Sequence, residues 1–253
     1  MDKIRIRKFK AFREDISIIL ENSKNLLLYG ENGAGKTSIF ESLKIAFFKE
    51  KIESGLIAQT PEDLQQLKYQ FWNSFNNKID NQEFEIEIND VSYKIFDTSV
   101  YQFFLVSIDD LVVVNEINLN TLLSRFYFDF NISNICQNHY QFIQDNVNAT
   151  LFSFGESVTI VIDEEDNYNI KLADTKKNIE TKSELKKYFN EAKLNLIILL
   201  IILNAIIQSK ETEKQKVIVL DDFITSLDAS NRTFLTKYLL EKFSRYSSNN
   251  INP

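Results

Sequence analysis

Three observations in this sequence predict an α/β fold: a sheet flanked by helices, with an antiparallel β lobe and a short helical protrusion. The apolar run Asn25 to Tyr29 stops at Gly30. Apolar residues then recur at Ile39, Phe40, Leu43, Ala46 and Phe47, so the order is strand, glycine loop, helix. A second apolar run, Val217-Ile218-Val219-Leu220, ends in Asp221-Asp222 ahead of another helical pattern. Between the two runs lie stretches in which apolar and polar residues alternate, the period of half-buried strands.

Taken in order, Ile4 and Ile6 alternate with Arg5 and Arg7, which predicts a first strand with one wet face. A second strand is expected near Ile16 to Leu20, then the buried strand 25–29 and a helix over Thr37 to Lys49. Pro61 to Phe75 reads as a helix, with Pro61 in its first turn and Glu62 and Asp63 suited to the positive end of the helix dipole. Phe84, Ile86 and Ile88 alternate up to Asn89-Asp90, and Val91, Tyr93 and Ile95 resume the alternation, the signature of a hairpin and of a β lobe over about 83–97. Residues 108–150 read as irregularly helical with no sustained heptad, hence a protrusion. A second hairpin pairs Val158 to Ile162 with Tyr168 to Leu172 across an acidic turn. The 14-residue run Leu194 to Ile207 is too short to cross a bilayer and suits a buried helix. A helix is expected over about 229–245, followed by an unstructured polar tail from Ser247. The organisation implied is one head: an N-terminal half over 1–107, the protrusion over 108–150 and a C-terminal half over 151–253.

Composition narrows the function classes. Net charge is −7, so no global basic field draws the chain to nucleic acid, and any DNA contact would need a local patch. One cysteine, Cys136, and one histidine, His139, exclude a disulfide framework and an all-Cys/His zinc site, and a reducing cytoplasm fits best. The N-terminus has no continuous apolar stretch of the signal-peptide kind, and the Asn148-Ala149-Thr150 sequon is accordingly read as chance. Lys8, Lys10 and Arg13 with Phe9 and Phe12 would form either a nucleotide contact or a plain strand edge.

Of only five glycines, three fall in Gly30-Glu31-Asn32-Gly33-Ala34-Gly35-Lys36-Thr37, which satisfies G-x-x-x-x-G-K-[ST] between a strand and a helix. Glycines let consecutive backbone N–H groups wrap phosphates without a Cβ in the way. Lys36 would reach the β and γ phosphates of ATP, and the Thr37 hydroxyl would ligate Mg²⁺. The residues from Gly30 to Ser38 form the candidate cradle. Asp221 would then serve the metal, and Asp222 would orient or deprotonate the attacking water.

Downstream of Asp221-Asp222 comes Ser226-Leu227-Asp228. With the glycine loop, this resembles the ATPase head of the ABC superfamily, in the branch of SMC, RecF and RecN-type proteins and SMC-like bacterial ATPases. The opening Ile4-Arg5-Ile6-Arg7-Lys8-Phe9-Lys10-Ala11-Phe12 is similar to that family's first strand and turn, near where adenine binds. The resemblance makes Ser226-Leu227-Asp228 the D-loop. It also makes Asn190-Glu191-Ala192-Lys193 a variant of the signature segment, in which Asn190 caps a helix and donates towards a γ-phosphate. Gln102 or Asp109 would supply the Q-loop residue.

The departures are specific. Asp222 stands where a longer acid is usual, and Glu191 brings negative charge to the signature segment. His139 precedes that segment, so it cannot be the family's switch histidine, and the chain ends about 25 residues after the D-loop. The expectation is a head that is truncated, split or completed by a partner chain. No C-x-x-C occurs, so no zinc hook is expected. The resemblance implies an ATP-dependent homodimer or a pairing with a partner head, serving DNA maintenance or repair or anti-phage defence. The other reading is a low-turnover nucleotide switch or scaffold that controls an effector such as a nuclease, with no membrane role.

Overall fold

The computed structural model describes residues 1–20, 28, 31, 33–79, 82–107, 115–128, 130–209, 213–221 and 227–243. The described residues form a mixed α/β structure of sheets and helices, divided into two compact units, Met1–Val100 and Tyr101–Pro253. Of the expected strand 25–29 only Leu28 is among the described residues, and the tail from Ser247 lies outside them.

In the first unit, β1 (Lys3–Arg7), β2 (Ile16–Ile19), β3 (Glu85–Ile88) and β4 (Val91–Ser92) form one antiparallel sheet in the order β2-β1-β3-β4, and the helices are α1 (Lys36–Ser54) and α2 (Pro61–Asn73). Alternation decides the faces. Ile4, Ile6, Ile86 and Ile88 are buried, while Lys3, Arg5 and Arg7 line the opposite face. Asn89 and Asp90 take φ of 52° and 62°, the left-handed pair that a tight hairpin turn requires. The returning arm stops after Ser92, shorter than the sequence alternation suggests, and Ile95 is exposed. The expected lobe is therefore one edge of the sheet that contains β1. Helix α2 begins as its residues dictate: the Thr60 hydroxyl accepts from Asp63 N–H at 3.1 Å, and Pro61 fills the first turn. Helix α1 runs past the expected Lys49 to Ser54, across a kink at Phe48.

The second unit contains β5 (Tyr101–Ser107), β6 (Ile117–Asn118), α3 (Leu119–Ser124), β7 (Tyr127–Phe128), α4 (Ile132–Ser153), β8 (Val158–Asp163), β9 (Asn169–Asp174), β10 (Ile179–Thr181), α5 (Leu185–Tyr188), α6 (Glu191–Gln208), β11 (Gln215–Asp221) and α7 (Ala229–Phe243). Strand β5 pairs in parallel with β11 and antiparallel with β7. A separate antiparallel sheet has β9 at its centre, with β8 on one side and β6 and β10 on the other. The expected hairpin over 158–172 is β8–β9, held across Val158–Asp174 to Asp163–Asn169.

The core of this unit is α6. Every residue from Leu194 to Ile206 is buried, and α4, β8, β9 and α7 contribute the surrounding apolar side chains. A helix apolar on all sides has no stable face for water, and each enclosed Leu or Ile contributes about 1.5–3 kcal/mol relative to exposure. Helix α6 extends the expected 14-residue run to 18 residues, so that among the described residues it is the one helix long and apolar enough to cross a membrane by length and composition, and it is mostly enclosed by protein. The segment expected to protrude behaves differently: Ile135, Cys136, Ile143, Val147 and Leu151 put one face of α4 into this core. Burial pushes the Cys136 thiol up to about 11, so it packs as a neutral side chain.

The outer edge of β8 is closed by side chains of α4. The Asn148 amide accepts from Ile160 N–H at 2.7 Å and donates to Ile160 C=O at 2.9 Å. Gln144 accepts from Ile162 N–H at 2.7 Å. The Asn148 of the sequon thus has its amide committed to backbone, as a neighbouring strand would be.

The wet face of the first sheet carries an ion-pair group: Arg5 and Arg7 both reach Asp15, at 2.7 and 2.8 Å, and also Glu87 and Glu85. The Arg5 hydrogen bond, with the charge of Arg7, holds the Asp15 carboxyl below its usual range. A lowered folded value means the pair stabilises above the ordinary carboxylate range and that this contribution is lost as pH falls through the lowered value. Asp15→Asn is expected to flatten the acid limb of a stability–pH profile measured by denaturant unfolding, and added salt to weaken the difference, because the pair faces water.

Candidate functional site

The phosphate-loop residues of the first unit sit where backbone geometry demands glycine. Gly33 and Gly35 take φ of 87° and 93°, and Gly35 is the residue immediately before α1. A side chain in that left-handed region is strained. At Gly35 a Cβ would also lie 2.5 Å from the Phe12 ring. The loop closes through Ala34 N–H donating to Glu31 C=O at 3.1 Å, and Lys36 Nζ donates to the same carbonyl at 3.0 Å. The lysine ammonium is thereby folded back over the loop. Thr37, exposed, and Ser38, buried, occupy the first turn of α1, where N–H groups lack helical partners and the dipole favours an anion. Glu31, Gly33, Ala34, Gly35, Lys36, Thr37 and Ser38 are so placed together; Gly30 and Asn32 lie outside the described residues.

Phe9 and Phe12 are buried, so the aromatic members of the suggested basic patch face inward. Lys10 pairs with Glu41 and lies 5.0 Å from the Phe75 ring centroid. Those groups secure the turn that follows β1.

In the second unit Asp221 ends β11, opposite Ser107 at the end of its parallel neighbour β5. The carboxyl ends of parallel strands are where α/β proteins bind ligands. Ser107 was not anticipated from sequence, because strand β5 was not. Asp222, Ser226 and Asp109 lie outside the described residues. Gln102 is corrected: it is fully buried near the start of β5, opposite Lys216, roughly 16 Å along the strand from Ser107 at ~3.3 Å per residue. It therefore cannot act at the carboxyl end.

Asn190 caps α6 as expected. Its Oδ1 accepts from Lys193 N–H at 2.9 Å, and its backbone is extended, as a cap requires. With Oδ1 committed, the remaining polar group of the side chain, Nδ2, is a donor. Glu191 is exposed in the first helical turn, favourable for the helix dipole and unfavourable beside a phosphate. Asp228 accepts from the N–H and Nδ2 of Asn231, at 2.8 and 3.0 Å, which starts α7.

A family model described as an AAA domain matches residues 3–238. The chain belongs to this family of P-loop ATPases. Membership implies nucleotide binding, typically with Mg²⁺, and the loop fits a phosphate: its two left-handed glycines hold bare backbone, and a lysine stands beside them. Thr37 and Asp221 are hard oxygen donors of the type Mg²⁺ takes. No curated protein matches the chain.

The cap acceptor and the donor group of the Asn190 side chain are separable by substitution. Asn190→Ala is expected to lower stability by about 0.5–2 kcal/mol, whereas Asn190→Asp keeps the acceptor and the melting temperature while deleting the donor. Thermal denaturation of the two variants checks this.

Proposed function

We propose that this chain binds Mg²⁺-ATP and hydrolyses it as an SMC-like head. The observation that carries the reading is the loop Glu31–Ser38: left-handed backbone at Gly33 and Gly35, and an ammonium folded over it at the N-terminus of α1. In this reading backbone N–H groups and Lys36 would neutralise the phosphates, and Thr37 and Asp221 would be the residues that hold the cation, which when bound would offset the charge developing on the transferred phosphoryl group. Asp222 orients or deprotonates the attacking water. Asn190 and the D-loop of a second head, a copy of this chain or a partner, close over the nucleotide, so that ATP favours the paired state and hydrolysis releases it. The cycle serves DNA maintenance or repair, or anti-phage defence, in the cytoplasm.

A second reading is favoured by Glu191, exposed in the first turn of α6 where a phosphate would approach. It makes the protein a low-turnover switch that controls an effector such as a nuclease.

Lys36→Ala is expected to abolish Mg²⁺-ATP binding in calorimetric titration under both readings; normal binding by this variant would remove the nucleotide assignment. Turnover separates them. The ATPase reading expects phosphate release by the wild type to exceed that of Asp222→Asn by about a hundredfold or more, the scale for losing a group that handles the proton. Equal rates, with ATP-dependent pairing retained, would leave the switch.

A further inference from the structure

Gly35 is bare for a reason beyond its backbone angle. An ideal Cβ there would lie 2.5 and 2.6 Å from Cε1 and Cζ of Phe12, so the ring edge occupies the space a side chain would need. Phe12 is buried, and its own N–H donates to Phe9 C=O at 2.8 Å. The ring is presented by a rigid turn. Lys8 and Lys10 hold left-handed φ of 51° and 44°, conformations that persist only when neighbours impose them.

Those neighbours are evident. Asn77 N–H donates to Lys8 C=O at 2.7 Å, Lys10 N–H to Phe75 C=O at 2.8 Å, and Asn77 Nδ2 to Lys10 C=O at 2.8 Å. Between the two lysines, the fully buried Phe9 stacks on Phe75, with centroids 5.7 Å apart, and meets Phe84 edge-on at 5.2 Å. The same turn reaches α1 a second time through the Lys10–Glu41 ion pair. The exit of the phosphate loop therefore rests on a turn anchored in the aromatic core of its own unit.

We propose that Phe12 is a positioning residue for the phosphate loop, a shelf that fixes Gly35 and the first turn of α1 in the phosphate-binding geometry. The inference rests on the nucleotide-binding reading of that loop. Phe12 needs no contact with the nucleotide. Its effect passes through Gly35, whose left-handed backbone aims the succeeding N–H groups, and a displacement of a fraction of an ångström at such a site weakens binding.

The test is titration of the full-length chain with Mg²⁺-ADP, with melting temperatures measured in parallel. Phe12→Ala is expected to raise Kd about tenfold, the scale for losing a group that orients a binding shell. Phe12→Leu, which refills most of the volume, should return it to within about threefold of wild type. Ile88→Ala is the control. Ile88 is fully buried at the end of β3 remote from this turn, since Ile88 pairs with Ile4 whereas Glu85 pairs with Arg7. It should lower the melting temperature while leaving Kd within about twofold. If Phe12→Ala does not fold, Phe12→Val, which leaves more of the space empty than Leu, is set against the Ile88 control: a Kd rise beyond about threefold that Ile88→Ala lacks supports the shelf, and its absence overturns it.

Failure of wild type to bind would overturn the nucleotide reading. Wild-type binding matched by Phe12→Ala, or weakened equally by Ile88→Ala, would overturn the shelf alone. A double-variant cycle reads the contact directly: Gly35→Ala should lower the melting temperature less in the Phe12→Ala background than in wild type, because only the backbone strain then remains. Additive losses would show that ring and backbone are not in contact.

Discussion

The second unit depends on the enclosure of α6. Its sequence offers water no face, and once Leu194 to Ile206 must be covered, the rest follows as cladding: α4 and α7 lay apolar residues on it, and β8 and β9 turn Val158, Ile160, Ile162, Ile170 and Leu172 the same way. The buried Asn204 has partners on its own helix and on α7. Asn204 donates to Leu200 C=O one turn back, and Tyr238 OH reaches Asn204 Oδ1 at 3.5 Å. Because the body of the helix cannot shift without exposing apolar surface, its N-terminus is a fixed point, and Asn190 inherits that fixity.

The first unit solves a different problem. Bare backbone is flexible, yet a phosphate cradle has to be stiff. What the loop has around it is the Phe12 ring against Gly35 and the Lys36 ammonium bonded to Glu31 C=O. The chain concentrates its glycines where N–H groups must converge and lets Phe9, Phe12, Phe75 and Phe84 supply the order that glycine lacks.

Much of this was legible in sequence, for identifiable reasons. Strict alternation announced β1, β3, β8 and β9, Asn89-Asp90 announced its turn, and the glycine loop followed by helical spacing announced α1. Strand β5 was not legible, since Tyr101 to Val106 contains neither alternation nor turn residues and a short apolar run fits helix or strand equally. Missing β5 also misdirected Gln102, which looked like a loop residue and is a buried one. Helix α4 was recognised as helical but not as core, because its stripe of Ile135, Cys136, Ile143, Val147 and Leu151 is diluted by Asn and Gln. The contact of Phe12 with Gly35 has no local signature, as 23 positions separate the two in the chain.

The amides that blurred the pattern of α4 have a further consequence. An unpaired strand edge is a template on which another chain can assemble. Along β8 the outward backbone groups of Ile160 and the N–H of Ile162 are satisfied by Asn148 and Gln144. The antiparallel sheet of the second unit is therefore closed to growth along that edge by two side chains rather than by bulk. A further strand is thereby kept off β8, whose outward polar groups at Ile160 and Ile162 already have partners on α4 of the same unit.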